Sequence, residues 1–365
     1  MTDDGLEGTD ADFTVARPLP TRAYRDAAHF ERERRAIFER AWLCVGREED
    51  VRAPGAWVRI ETFGAGVIVA RGEDGRVRAM RDACRHRGVP VVVGASGRAI
   101  SFTCPYHAWR YGLDGALRDA PFAPEGFDRA AHGLTPLAVE TWRGFLFVNV
   151  DPDAAPLEAW AGAAPPWLER ADLASLTRAH RAAWDVAANW KICAENFQES
   201  HHFPLVHPAL EACTATARAA TWLRGHRWLG GTMELADGVE TVSISRRIGE
   251  RRAFAPRGRV HDALLFPTLL TSLQPDYLLT YRLEPIAPER TRVIADVLVD
   301  PSTDRGALAD VLDFWATTNA EDRAICERQQ RGLATPGFEI GCYATVEEGV
   351  HAFDRLVARA LVEAR

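Results

Sequence analysis

The chain has 365 residues, with 44 Lys and Arg against 51 Asp and Glu and a net charge of −7. That length supports two domains with separate cores. Lys191 is the sole lysine and no basic block occurs, which argues against a nucleic-acid partner, and no apolar run approaches the roughly 18 residues that a membrane span needs.

In chain order, Met1–Asp12 is acidic, carries no basic-then-apolar leader and is expected to be loose. Asp26–Trp42 has the stripe of an amphipathic helix, with Phe30, Ile37, Phe38 and Ala41 on one side. From Trp57 to Val150 the apolar pattern turns to period two, and Trp57–Ile60, Gly66–Ala70 and Gly144–Val150 read as strands between glycine turns. Asp151–Pro166, rich in Ala and Pro, reads as a linker. Beyond it helical and extended patterns mix. Val242–Ile244 and Leu278–Leu283 read as extended and Arg305–Arg331 as one long helix, with no internal repeat. Cys44, Cys193, Cys213, Cys326 and Cys342 have no framework spacing and are read as reduced thiols of a cytoplasmic protein.

Two ligand sets carry the chemistry. Cys84-Arg85-His86 and Cys104-Pro105-Tyr106-His107 lie inside the β-rich block. Two thiolates and two imidazoles can hold a structural zinc; they also suit a [2Fe–2S] cluster with Cys on one iron and His on the other. Gly88 and Pro105 favour tight loops whose N–H groups can point at cluster sulfurs, so the cluster is the preferred reading.

The second set, downstream of Asn189, is Glu199, His202 and His207. On a helix Glu199 and His202 share a face, and Pro204 is expected to end that helix so that His207 returns from a loop. Two imidazoles and one carboxylate form the facial triad of non-haem Fe(II) oxygenases. Asp322 is the candidate third ligand. It falls on the apolar stripe of the late helix with Leu308, Val311, Trp315, Ile325 and Gln329, whereas Glu321 is expected to point elsewhere. A di-iron alternative built on Glu199/His202 and Glu348/His351 lacks further inward Glu and a helical bundle. His201 is read as a packing residue.

Together these sets resemble the α (oxygenase) subunits of Rieske non-haem iron oxygenases, and Phe30–Glu33, Thr141–Asn149 and Asn319–Gly332 extend the resemblance. It implies an α+β fold: a β-rich Rieske [2Fe–2S] domain at 46–155, a catalytic domain at 156–365 with an antiparallel sheet covered by helices (helix-grip, START-like), and an N-terminal helical segment at 1–45 packing on the latter. It implies that Cys84, His86, Cys104 and His107 hold the cluster, and that His202, His207 and Asp322 hold a mononuclear Fe(II) that works with O2. It further implies a homotrimer in which Glu199 bridges His202 to His107 of a neighbouring copy. The chain has no Gly-x-Gly-x-x-Gly fingerprint after a strand, so NAD(P)H electrons are expected through a separate flavin- or ferredoxin-type reductase.

Gly230–Leu235, Phe266–Tyr277 and Arg282–Pro285 resemble the glycine betaine, stachydrine and carnitine monooxygenase branch, with Gln274 where a His is expected. The branch implies hydroxylation of a carbon beside nitrogen, releasing formaldehyde from an N-methyl group. Trp222, Trp228, Phe254 and Tyr277 are candidates for a cation–π wall. The alternative on the same scaffold is an aromatic-ring hydroxylating (di)oxygenase. A Rieske electron carrier would leave the second ligand set idle.

Overall fold

The computed structural model describes residues 5–62 and 65–364. They form two compact units, one of residues 39–157 and one of residues up to 38 together with those from 158 onward. Met1–Asp4 lie outside the described residues.

The first unit holds ten strands: β1 (Leu43–Arg47), β2 (Ala56–Thr62), β3 (Ala65–Arg71), β4 (Val77–Arg81), β5 (Ser96–Arg98), β6 (Ser101–Thr103), β7 (Arg110–Gly112), β8 (Leu117–Asp119), β9 (Pro136–Trp142) and β10 (Phe145–Asn149). Seven form one sheet in the order β1-β10-β9-β4-β3-β2-β5, and β6-β7-β8 form a small second sheet. β3 is buried on both faces because successive side chains point to opposite sides. Val67 and Val69 enter one core with Val45, Leu146 and Val148. Ile68 and Ala70 enter the other, with Cys84, Cys104, Trp109 and Tyr111. The Cys/His loops are thus seated on one chosen face.

Two short turns repeat one construction. In Gly72-Glu73-Asp74-Gly75 and Gly112-Leu113-Asp114-Gly115, the second glycine takes positive φ (77° and 82°). Each Asp also accepts the N–H two residues on, at 3.1 Å.

The second unit is built on a sheet of β11 (Thr177–Val186), β12 (Ala220–Trp222), β13 (Trp228–Glu234), β14 (Arg259–Leu265), β15 (Leu269–Leu273), β16 (Leu278–Ala287) and β17 (Arg290–Val299). The order is β11-β17-β16-β15-β14-β13-β12, and every pairing is antiparallel. Its helices are α1 (Leu6–Thr9), α2 (Ala27–Glu33), α3 (Leu157–Ala161, which begins at the boundary), α4 (Pro166–Arg170), α5 (Trp190–Phe197), α6 (Phe203–Val206), α7 (Pro208–Glu211), α8 (Ala309–Gly332) and α9 (Glu348–Glu363). Asn189 caps α5 by accepting the Lys191 N–H at 3.0 Å. Lys191 itself is buried in an ion pair with Glu33, which also accepts Trp190 Nε1 at 2.9 Å. The only lysine therefore ties α5 to α2.

Several local expectations change. The start is anchored rather than loose from residue 5: Leu6 is buried, Asp10 accepts from Arg355 and Arg359, and His351 Nε2 meets Thr9 O at 3.1 Å. That contact, with Phe13 and Tyr343 against the same ring, gives His351 a structural place. The helix expected to reach Trp42 stops at Glu33 and widens into a π-turn over Arg34–Phe38, because residues from Leu43 pair as β1 with β10. β1 thereby puts residues 39–45 in the first unit. The linker contains α3 and the start of α4. Val242–Ile244 is a bend rather than a strand; Val242 is buried against Leu210, Val260 and Phe314, so apolarity there serves core contact. The late helix begins with a 3₁₀ turn at Arg305–Leu308. All seven cysteines are free. Among the described residues no helix is long and apolar enough to cross a membrane.

Candidate metal centres

The two Cys/His loops are near copies. The Gly88 N–H donates to Cys84 O at 2.8 Å while the Cys84 N–H donates to Val89 O at 2.9 Å; the Ala108 N–H donates to Cys104 O at 3.1 Å while the Cys104 N–H donates to Trp109 O at 2.8 Å. The residue four beyond each cysteine is left-handed, Gly88 at φ 77° and Ala108 at φ 59°. Both thiols are buried. The loops bring the His86 and His107 rings to 4.7 Å between centroids, with His86 stacked on Trp109 at 4.9 Å and 9°.

Donors converge on the sulfurs. The Tyr111 hydroxyl lies 3.2 Å from Cys84 Sγ and accepts the Arg85 N–H at 3.0 Å, so its own proton is free for the sulfur. The Tyr106 and His107 N–H groups point at Cys104 Sγ. Burial, with help from His86 and Arg87, holds His107 below the usual imidazole value, which keeps the ring neutral as ligation requires. Its Nδ1 is buried without a hydrogen-bond partner among the described residues. Two thiols, two imidazoles and donors aimed at sulfur fit a Rieske cluster better than a bare zinc.

The second centre is assembled from distant segments. α5 ends at Phe197, and Glu199 and Ser200 are irregular and lead into a turn at His201–His202 rather than the expected helix. Pro204 starts α6 instead of ending its predecessor, since a proline is tolerated in a first turn. Pro208 starts α7 in the same way and forces the preceding His207 out of the helical region, to φ −125° and ψ 63°. His207 Nε2 lies 2.8 Å from Asp322 Oδ1 on α8 and His202 Nε2 lies 3.7 Å from the same oxygen. His202, His207 and Asp322 each offer an atom within 4.8 Å of the others, the one such group of three or more among the described residues.

Each imidazole has a second carboxylate on its other nitrogen. Glu199 bonds His202 Nδ1 and accepts the His202 N–H at 3.2 Å. Glu321 Oε2 lies 2.7 Å from His207 Nδ1. Glu321 therefore faces the site, contrary to expectation. These bonds hold the proton at Nδ1 and turn Nε2 toward Asp322. Burial lowers the His202 pKa, but Asp322 and Glu199 outweigh it and lift the group to about 9. Burial likewise opposes the charge on Asp322, and the two imidazoles overcome it and hold the carboxyl below its usual range. A donor set of two Nε2 atoms and one carboxylate fits a mononuclear iron.

The buried stripe of α8 is Val311, Phe314, Thr318, Cys326 and Gln330, one position from the expected Ile325 and Gln329. Asp322 lies four from Thr318 and four from Cys326 and remains on it. His201 is half-exposed, with Nδ1 2.9 Å from Glu199 Oε2, so it supports the carboxylate.

A cavity of about 120 Å³ adjoins this centre. Its aromatic lining is Trp184, Phe197, Phe203, Tyr281 and Trp315; the expected Trp222, Trp228, Phe254 and Tyr277 do not line it. Trp228 is five residues from the lining Met233 on β13 and so faces the other way. Trp222 packs edge-on against Trp167. Phe254 sits in a loop whose N–H donates to Pro275 O at 2.8 Å. Tyr277 is buried, donating to Val242 O at 2.6 Å and accepting Trp315 Nε1 at 2.8 Å, and so supports a lining residue. Sequence reasoning missed Asp262, a cavity carboxyl that burial pushes up to about 6 against a hydrogen bond from Ser272. The period-two pattern of β14 held a signal, since Asp262 shares its face with the apolar Val260.

Comparison with known proteins is consistent with these two centres. Residues 41–142 match the Rieske [2Fe-2S] domain, and residues 173–363 match the ring hydroxylating alpha subunit catalytic domain. The glycine betaine monooxygenase oxygenase subunit of Pseudomonas aeruginosa is 28% identical over 96% of this chain and 90% of its own length. The carnitine monooxygenase oxygenase subunit of Acinetobacter baumannii is 34% identical over 53% of each chain. The crystal structure of the quaternary ammonium Rieske monooxygenase CntA with L-carnitine shares the fold at a TM-score of 0.82 and 24% identity, covering 99% of both chains.

Proposed function

The chain belongs to the ring-hydroxylating α-subunit family and carries its Rieske domain, and from that premise we propose that it is the terminal oxygenase of a system that hydroxylates, and thereby N-demethylates, a small methylated ammonium compound. The observation that carries this reading is the cavity beside His202 and Asp322. At about 120 Å³ it is in the range of a cavity that holds one benzene-sized guest. It combines aromatic faces with a carboxyl, Asp262, that lies outside the iron set. Aromatic faces and a carboxylate both attract an organic cation. An arene would leave Asp262 without a countercharge and Gln274 Oε1 without a donor, which counts against ring hydroxylation. The relatives named above point the same way.

Cys84, Cys104, His86 and His107 are assigned to the cluster and His202, His207 and Asp322 to the iron. When bound, these groups supply one-electron transfer and reductive activation of O2. The protein's own part is positional. Glu199 and Glu321 keep protons on the Nδ1 atoms of His202 and His207, so both rings present Nε2. Phe197, Phe203 and Leu210 give the site apolar walls. Glu199 is also assigned as the electron bridge between His202 and His107 of a neighbouring copy in a homotrimer. Its Oε2 already takes a second imidazole, His201, so carboxylate geometry accommodates rings on both oxygens. Electrons come from NAD(P)H through a separate reductase, and the setting is cytoplasmic.

The test is turnover of the reconstituted enzyme with a reductase on a panel of methylated ammonium compounds and arenes. Formaldehyde release from an ammonium compound is expected; ring hydroxylation without formaldehyde overturns the reading.

A further inference from the structure

A polar strip crosses one wall of the cavity and belongs to neither metal centre. Asp262 on β14 and Ser272 on β15 are register partners, Gln274 follows two residues on, and all three line the cavity. Gln274 Nε2 donates to Ser272 Oγ at 3.0 Å, and Ser272 stands opposite Asp262 on the neighbouring strand.

Gln274 is 1% exposed, and its Oε1 is buried without a partner among the described residues. A buried carbonyl lacking a donor is destabilising, and the cavity is the side from which a donor can come. The wall thus offers a carboxylate and an unpaired carbonyl oxygen, in a cavity that five aromatic side chains also line.

We infer that Asp262, Ser272 and Gln274 form a recognition site for a small organic cation bearing a hydrogen-bond donor, either an N–H⁺ or a hydroxyl near the charged nitrogen. Asp262 supplies the countercharge, Gln274 Oε1 accepts the donor, and Ser272 holds both side chains in register. The inference rests on the methylated-ammonium reading and narrows it. A tetraalkylammonium satisfies Asp262 and the rings but leaves Oε1 unpaired, and a site built to pair a donor discriminates against the analogue lacking it.

Paired ligands test this by calorimetric binding to the cluster- and iron-loaded protein. Trimethylammonium against tetramethylammonium isolates the N–H⁺; choline against ethyltrimethylammonium isolates the hydroxyl; choline against 3,3-dimethylbutan-1-ol isolates the charge. In at least one of the first two pairs the donor-bearing member is expected to bind about tenfold tighter or more, and that pair identifies the donor. Gln274→Leu should bring the ratio to about one. Asp262→Asn should weaken choline about tenfold relative to its uncharged isostere. The ligand pairs on the unaltered protein decide the matter even where a variant fails to fold. Equal affinities within both donor pairs, or a ratio that survives Gln274→Leu, mean that water serves Oε1 and overturn the inference while the methylated-ammonium reading stands. Binding of 3,3-dimethylbutan-1-ol with no binding of any cation overturns both.

Discussion

The two candidate centres are built on opposite principles. The Cys/His centre lies within residues 84–107, on two loops that repeat one backbone pattern, so each ligand is fixed by neighbours only a few positions away. The His/His/Asp centre joins His207 to Asp322, 115 residues apart in sequence, and needs α6, α7 and α8 to dock before it exists. Local construction makes ligand geometry independent of distant packing. Long-range construction makes it depend on second carboxylates, Glu199 and Glu321, that lock each ring after docking. The first centre is the more self-contained, and the second is where a remote change reaches the chemistry.

The largest expected effect separates the centres outright. Asp322→Ala should reduce turnover by about a thousandfold or more and lower iron from about three to about two per chain, while the visible absorption of the cluster persists, because the residues assigned to the cluster belong to the other unit. Simultaneous loss of cluster absorption would show that the centres are not independent. Next, Glu321→Gln should weaken mononuclear iron binding by about 10–100-fold, the range for losing a carboxylate behind a ligating imidazole, as read by chelator competition. An unchanged affinity would remove Glu321 from the site.

Acidity tests the same lock. His202 carries its proton up to about 9 in the metal-free protein, above the ordinary imidazole value of about 6.5. The imidazolium therefore contributes to metal-free stability fully below about 6.5, and that contribution is lost as pH rises through about 9. Iron must displace this proton, so iron affinity should climb across that window; a flat profile in chelator titrations would contradict it.

At the cluster, Tyr111→Phe should lower the reduction potential by some tens of millivolts, since a hydrogen bond to sulfur stabilises the more negative reduced form. Protein-film voltammetry reads this directly. Smallest of all, the twin loops predict opposite signs for mirror substitutions. Gly88→Ala places a side chain in the left-handed region and should cost about 1 kcal/mol, whereas Ala108→Gly relieves that strain and should be neutral or mildly stabilising. Denaturant midpoints that shift in the same direction would break the equivalence of the loops.

How much was legible follows the same division. The convergence of the loops carrying Cys84, His86, Cys104 and His107 could be read because spacing along a short loop nearly is the geometry. The place of Asp322 on the inner side of its helix, beside His202 and His207, could be read from helical periodicity, although the buried stripe itself sat one residue from its expected place. Glu321 could not, because the neighbour that claims it, His207, is distant in sequence. The cation–π residues were misplaced for a related reason. Aromatic residues are frequent around residues 222–277, but period two says only that faces alternate, not which face the helices cover to leave a cavity.

By itself, then, the amino-acid order determined the kinds of donor side chain, the loops that carry the first set, the β-rich and mixed blocks and the helix bearing Asp322, all consequences of local backbone preference and periodicity. Tertiary structure alone decided which carboxylates orient the histidines, which rings face the cavity, and that Asp262, Ser272 and Gln274 meet on one wall. Those are contacts between separate segments, set by how strands pair and helices dock, and no local preference encodes them.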